Sequence, residues 1–146
     1  MEKLSQSNMR EAAFMLVFEK FFSPDSCDEI IETARDADEY LFNEDSEKLF
    51  KGVCEHTEEL DEIISRFSTS RSVSRIGKVS LAVLRIAIYE ITSGMTPANV
   101  AISEAVRISQ IYSLETDTRF VNGVLGAYSR TLPPDEANSS EGTDEP

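Results

Sequence analysis

One histidine, His56, and two cysteines, Cys27 and Cys54, are all the chain offers for soft-metal ligation or imidazole-assisted attack. Cys54 and His56 lie two residues apart, a spacing that turns them to different faces of a helix. An ordinary thiol and a surface imidazole account for them better than a nucleophilic pair. The two cysteines follow no metal-binding spacing and suggest no disulfide framework. Glu58, Glu59, Asp61 and Glu62 crowd one stretch. Metal carboxylates normally face inward with supporting hydrogen bonds, so a solvated helix face is the better reading. The six glycines, at 52, 77, 94, 123, 126 and 142, are scattered and form no phosphate-cradling loop. Metal, cofactor and small-molecule substrate are all expected to be absent. The residues point to a binding protein rather than an enzyme.

The remaining chemistry is ionic. The chain of 146 residues holds 27 acidic and 14 basic residues, a net charge of −13, which as a whole repels phosphate. The distribution is uneven. Residues 25–62 hold fifteen acids against three bases, and 133–146 hold five acids and no base. What is left carries +4. Between Ile63 and Tyr89 stand Arg66, Arg71, Arg75, Lys78 and Arg85, with no acid among them. A basic region beside an acidic one permits an anionic partner, although charge runs more often form solvated faces.

These groups need a scaffold, and the punctuation along the chain is helical. Asn8 to Glu11 and Ser26 to Glu29 have the form of capping boxes. The first precedes an apolar helix that Pro24 ends, the second an acidic helix to about Ala37. Leu49, Phe50, Val53, Leu60, Ile63, Ile64 and Phe67 recur at three- and four-residue steps, which predicts one long amphipathic helix. Ser68 to Ser74 reads as a loop. Val79 to Tyr89 is apolar almost all round and belongs at the centre of a fold, with Gly94 suited to close it. Thr96-Pro97 opens the next helix, and Thr116 or Asp117 can cap the last, which Pro133-Pro134 stops. An all-α bundle of about six to seven helices over residues 1–132 follows, with 133–146 an acidic, disordered tail. No apolar run approaches the roughly 20 residues of a membrane helix, and Met1 to Gln6 lacks the apolar core of a secretory signal. A cytoplasmic protein that does not engage a membrane is the simplest account.

Two segments carry a family resemblance. Arg75-Ile76-Gly77-Lys78-Val79 through Val83-Leu84-Arg85-Ile86-Ala87-Ile88-Tyr89-Glu90 resembles the central-helix signature of the NusB family. Val100 to Val106 and then Arg119-Phe120-Val121-Asn122-Gly123-Val124-Leu125-Gly126 resemble its two C-terminal helices, and Arg10-Glu11-Ala12-Ala13 its N-terminal helix. The resemblance runs from about residue 8 to 130. It implies two small helical subdomains and a transcription antitermination factor without catalysis. Such a factor binds the boxA element of nascent RNA together with the ribosomal protein NusE, and through that complex acts on RNA polymerase in ribosomal RNA operons.

Within that expectation, Arg71, Arg75, Lys78 and Arg119 form the electrostatic footprint for RNA. Arg10 is placed at an exposed helix start within reach of phosphate, and Phe120 can stack on a base. Arg85 interrupts an apolar helix, so it is expected to pair with an internal carboxylate such as Glu104, or to snorkel outward, rather than to contact RNA. Asn122-Gly123 is assigned to tight packing or capping. Asp28, Glu29, Glu32, Asp36 and Asp38 are candidates for docking a basic protein. The rival class is a protein-only helical adaptor that uses this acidic face alone.

Overall fold

A computed structural model describes residues 6–37 and 44–133. Asp38 and the acidic segment after Pro133 lie outside them. Among the described residues the chain forms α1 (Gln6–Lys20), α2 (Cys27–Asp36), α3 (Glu44–Glu55), α4 (Thr57–Phe67), α5 (Lys78–Thr92), α6 (Ala98–Tyr112) and α7 (Glu115–Ser129), with one 3-10 turn at Val73–Arg75. The all-α expectation is met.

The apolar helix from the middle of the sequence is the hub. α5 buries Leu81, Ala82, Val83, Leu84, Ile86, Ala87, Ile88 and Ile91, and it touches α1, α3, α4, α6 and α7. α1, α2 and α3 gather on one side of it, and α4, α6 and α7 complete the other. One continuous core joins both groups, from Leu16, Ile30 and Phe50 to Ile108, Val121 and Leu125. Each fully buried aliphatic side chain contributes roughly 1.5–3 kcal/mol. α5 ends where the periodicity stops: Ser93 closes it, and Gly94 takes φ +79, where a Cβ would be strained.

The single long helix expected over residues 49–67 is two helices. His56 leaves helical geometry at φ −118 and ψ 18. The hydroxyl of Thr57 donates to the carbonyls of Val53 and Cys54, at 2.8 and 3.3 Å. His56 Nδ1 lies 2.8 Å from the Gly52 carbonyl, a position in which the nitrogen must carry the proton. These side chains satisfy the closing carbonyls of α3. The apolar rows on either side of the break nevertheless keep step, so periodicity alone hides it.

Three caps also differ. The box at Ser26 forms in full, with Glu29 N–H donating to Ser26 Oγ and Ser26 N–H to Glu29 Oε1. Asn8, by contrast, lies inside α1, which is under way by Gln6. α6 starts after Pro97, and the Thr96 hydroxyl points to Glu90 rather than to the helix. α7 starts at Glu115, ahead of Thr116 and Asp117.

Cys27 and Cys54 form a disulfide that joins the start of α2 to the end of α3. This overturns the expectation, drawn from the cysteine spacing, that no disulfide forms. The pairing comes from two helices packed side by side, a relationship that no local pattern encodes.

Candidate nucleic-acid interface

The segment between α4 and α5 presents the basic side chains. Ser68 closes α4, and its buried hydroxyl donates to the Arg71 carbonyl at 2.5 Å, which curls the chain back. Ile76, 5% exposed, anchors the following turn in the core. Gly77 then opens α5, with Lys78 as its first residue. Anchored at both ends, the loop holds Arg71, Arg75 and Lys78 outward.

α7 meets this loop. The Arg71 guanidinium lies over the Phe120 ring, 4.2 Å from its centroid. It also stands 3.6 Å from the Asp117 carboxylate. The orientation of α7 is fixed from beneath by buried hydroxyls: Ser109 Oγ lies 3.0 Å from Thr118 Oγ1 and 2.8 Å from Ser113 Oγ. With Thr118 pinned inward, Phe120 sits half-buried beside the loop and Arg119 is exposed. Arg119 pairs with Glu115 one turn earlier at 3.0 Å, in water on both sides, a contact worth a few tenths of a kcal/mol at most. Arg75 and Lys78 are exposed and enter no ion pair with a described residue. The Lys78 ammonium lies 5.8 Å from the Phe21 ring centroid and 5.9 Å from that of Phe22.

Of the expected residues, Arg71 and Phe120 are in contact; Lys78 lines one cleft with Asp117, the ion-pair partner of Arg71; Arg75 is exposed at the end of the 3-10 turn, and Arg119 is exposed next to Phe120 on α7. Arg10 does not join them. It is 5% exposed, its Nε donates to Glu90 Oε2 at 2.8 Å, and Glu104 lies 3.8 Å from Nη1. The expectation of an exposed phosphate ligand at Arg10 is therefore corrected, because α5 and α6 close over the start of α1. Arg85 does pair with a carboxylate, but with Asp61 on α4, through two bonds of 2.8 Å. Glu104 instead serves Arg10 and Arg107. Asn122 and Gly123 face solvent, and a Cβ at Gly123 would meet nothing within 4 Å, so tight packing is not its role.

Asp28, Glu29, Glu32 and Asp36 are exposed along α2. Asp28 pairs with Lys51 at 3.2 Å, and Glu29 is engaged in the cap. The Arg35 guanidinium is held above its ordinary pKa by hydrogen bonds to Glu47, with the charge of Glu47 adding to them. Asp38, the fifth acidic candidate, is outside the described residues. Among the described residues no group of three or more His, Cys, Asp or Glu is placed to hold a metal ion. No described helix is long and apolar enough to cross a membrane.

The sequence reading missed the exposed apolar residues on the basic side: Phe22 at 65%, Leu114 at 72% and Ile111 at 53% exposure. The one signal for them was the aromatic density of Phe18, Phe21 and Phe22, which runs past the end of α1.

Comparison with known proteins gives one answer. The model of the NusB family matches residues 7–130. The transcription antitermination protein NusB of Thermoanaerobacter sp. (strain X514) is 42% identical over 90 residues, 62% of this chain. That match spans 64% of the relative's length, a little under two thirds. T. maritima NusB superposes with a TM-score of 0.81 at 28% identity, covering 94% of this chain and 99% of that one. A chain from a crystal structure of antitermination factors NusB and NusE in complex with dsRNA shares the fold. Its TM-score is 0.75 at 23% identity, over 87% of this chain and 97% of that one.

Proposed function

Because the chain belongs to the NusB family, we propose that it is a transcription antitermination factor. It binds boxA-type RNA together with the ribosomal protein NusE, and it promotes transcription of ribosomal RNA operons by acting on RNA polymerase through that complex. It works in the cytoplasm, where nascent RNA is made, and it performs no catalysis.

The observation that carries this reading is the Arg71–Phe120 stack, together with Arg75 and Lys78, exposed cations with no ion-pair partner among the described residues. A base adds to an aromatic–guanidinium stack with about 1–3 kcal/mol, whatever its identity. Arg75 and Lys78 take the flanking phosphates and release counterions as they do so. Arg71 and Arg119 contribute less long-range attraction, since Asp117 and Glu115 already share their charge.

A body of charge −13 is a poor RNA ligand alone. The exposed acids Asp28, Glu32 and Asp36, with Glu29, offer a docking face for a basic ribosomal protein, which would offset that field and bring phosphate contacts of its own. Two weak sites then act as one through effective concentration.

A salt titration on labelled single-stranded boxA-like RNA, with and without NusE, tests the proposal. NusE is expected to raise RNA affinity at least about tenfold, near 1.4 kcal/mol of coupling, and RNA to tighten NusE equally. Replacing Arg75, Lys78 and Arg119 together by Ala should weaken binding and flatten the salt slope. Absence of RNA binding in both arms would refute the reading. If NusE nevertheless binds, the protein-only adaptor is the alternative, favoured by the exposed acids of α2.

A further inference from the structure

The bond between Cys27 and Cys54 lies where a change in its state reaches an exposed helix. Cys27 is the first residue of α2, and Cys54 is the last but one of α3. Both are half-buried against the edge of the core, within reach of a small thiol. They are the chain's only cysteines, so no other pairing competes within one molecule. α2 is ten residues long and buries Ile30, Ile31 and Ala34. Two ion pairs also tie it to α3, Arg35 to Glu47 at 2.6 Å and Lys51 to Asp28 at 3.2 Å. Both cations are largely in water, where such pairs contribute little. The bond is therefore the firm link between α3 and the helix that carries Asp28, Glu32 and Asp36.

We propose that Cys27–Cys54 is a reversible redox site, opened by low-molecular-weight thiols and closed by their disulfides. Its state sets how firmly α2 presents its acidic face to a basic protein. The proposal rests on the cytoplasmic, partner-docking reading above and adds regulation to it.

In the closing direction a Cys27 thiolate attacks a small disulfide, RSSR. A mixed Cys27–SR disulfide forms and RS− leaves. The Cys54 thiolate then attacks the Cys27 sulfur, the internal bond forms, and the second RS− leaves. The two cysteine protons end on the two released thiols, and the two electrons that the cysteines give up reduce RSSR. Opening is the reverse, with two RSH as reductant. Cys27 takes the first step because the positive end of α2 steadies a thiolate there, whereas Cys54 lies near the negative end of α3. A permanent staple is the rival account. Against it, disulfides in the cytoplasm are usually transient and redox-sensing, and opening this one leaves the buried side chains of α2 in place.

The test equilibrates the full chain with reduced and oxidised glutathione at several ratios. Acid quenching, alkylation and mass spectrometry read the oxidised fraction, and both forms are titrated with NusE. The fraction is expected to follow the ratio in both directions while circular dichroism stays helical. The oxidised form should bind NusE about fivefold or more tightly than the reduced one. Cys27→Ala with Cys54→Ala should match the reduced form at every ratio. With oxidised glutathione, Cys54→Ser should gain its adduct at Cys27 faster than Cys27→Ser gains one at Cys54; equal rates would overturn Cys27 as the attacking sulfur. A bond that stays closed at every ratio, or never closes, would overturn the redox site. Equal NusE affinity of the two forms would overturn its control of α2. NusE binding by neither form would sink the docking reading and the control that rests on it, and the glutathione titration would then decide the redox site alone.

Discussion

Arg10 on α1 and Glu90 on α5 meet at 2.8 Å, with 6% and 2% of their side chains exposed. The Thr96 hydroxyl donates to the same Glu90 oxygen at 2.7 Å and lies 3.3 Å from Arg10 Nη2. The pair is thus hydrogen-bonded as well as charged, the condition under which two buried ions are tolerated. It fastens the first helix to the turn between α5 and α6.

Arg10→Ala strands a buried carboxylate, and it is expected to cost about 3–5 kcal/mol in urea unfolding. Replacing both partners with apolar residues, Arg10→Met with Glu90→Leu, should recover much of that loss. A cost under about 1 kcal/mol, accompanied by a flatter salt dependence of RNA binding, would return Arg10 to the phosphate-contact role.

The misreading of Arg10 shows where legibility ended. Helix type and the central place of α5 could be read from periodicity, because burial on one stripe leaves its mark every three or four residues. Arg10 sits among ordinary helix-start neighbours, and its partner is 80 residues away. Shorter but still non-local separations, of 27 and 24 positions, hid the Cys27–Cys54 bond and the pairing of Arg85 with Asp61 rather than Glu104. At the candidate interface the residue types could be read one by one. Their assembly could not, since the stack of Arg71 on Phe120 depends on how the loop after α4 crosses α7.

The disulfide closes a loop between residues separated by 27 positions. In the chain-entropy account such a bond stabilises by about 3–4 kcal/mol through the unfolded state. Adding reductant, or replacing both cysteines by Ser, is expected to lower the guanidinium midpoint accordingly and to speed amide exchange in α2. Equal midpoints with and without reductant would mean that Ile30, Ile31 and Ala34 hold α2 alone.

Gly52 is a site of close approach. A Cβ there would collide with the end of the Tyr89 ring, which also packs against His56 with centroids 5.4 Å apart. Gly52→Ala is expected to destabilise by about 1–3 kcal/mol, the usual range for overpacking. Combining it with Tyr89→Leu should remove most of the added cost, and a double-mutant cycle measures the coupling. Additive effects would place the strain elsewhere.

The last expectation concerns alkaline pH. The Tyr112 hydroxyl donates to Glu11 at 2.5 Å, which ties α6 to α1. That hydrogen bond, more than partial burial and the charge of Glu11, raises the phenol above its ordinary value of 10.0; Arg107 opposes the shift. The raised value means that the folded protein retains a proton the unfolded chain has lost. The stabilisation is therefore complete below about pH 10, and it disappears as pH climbs through the folded-state value. Tyr112 is 37% exposed, so solvent screens the effect and it should be modest. Urea midpoints between about pH 9 and 12 should fall more steeply for wild type than for Tyr112→Phe, which has no proton to lose there. Spectrophotometric titration should show one tyrosine ionising late in wild type and missing from the variant. Parallel pH profiles for the two proteins would mean that the Tyr112–Glu11 bond does not persist in solution.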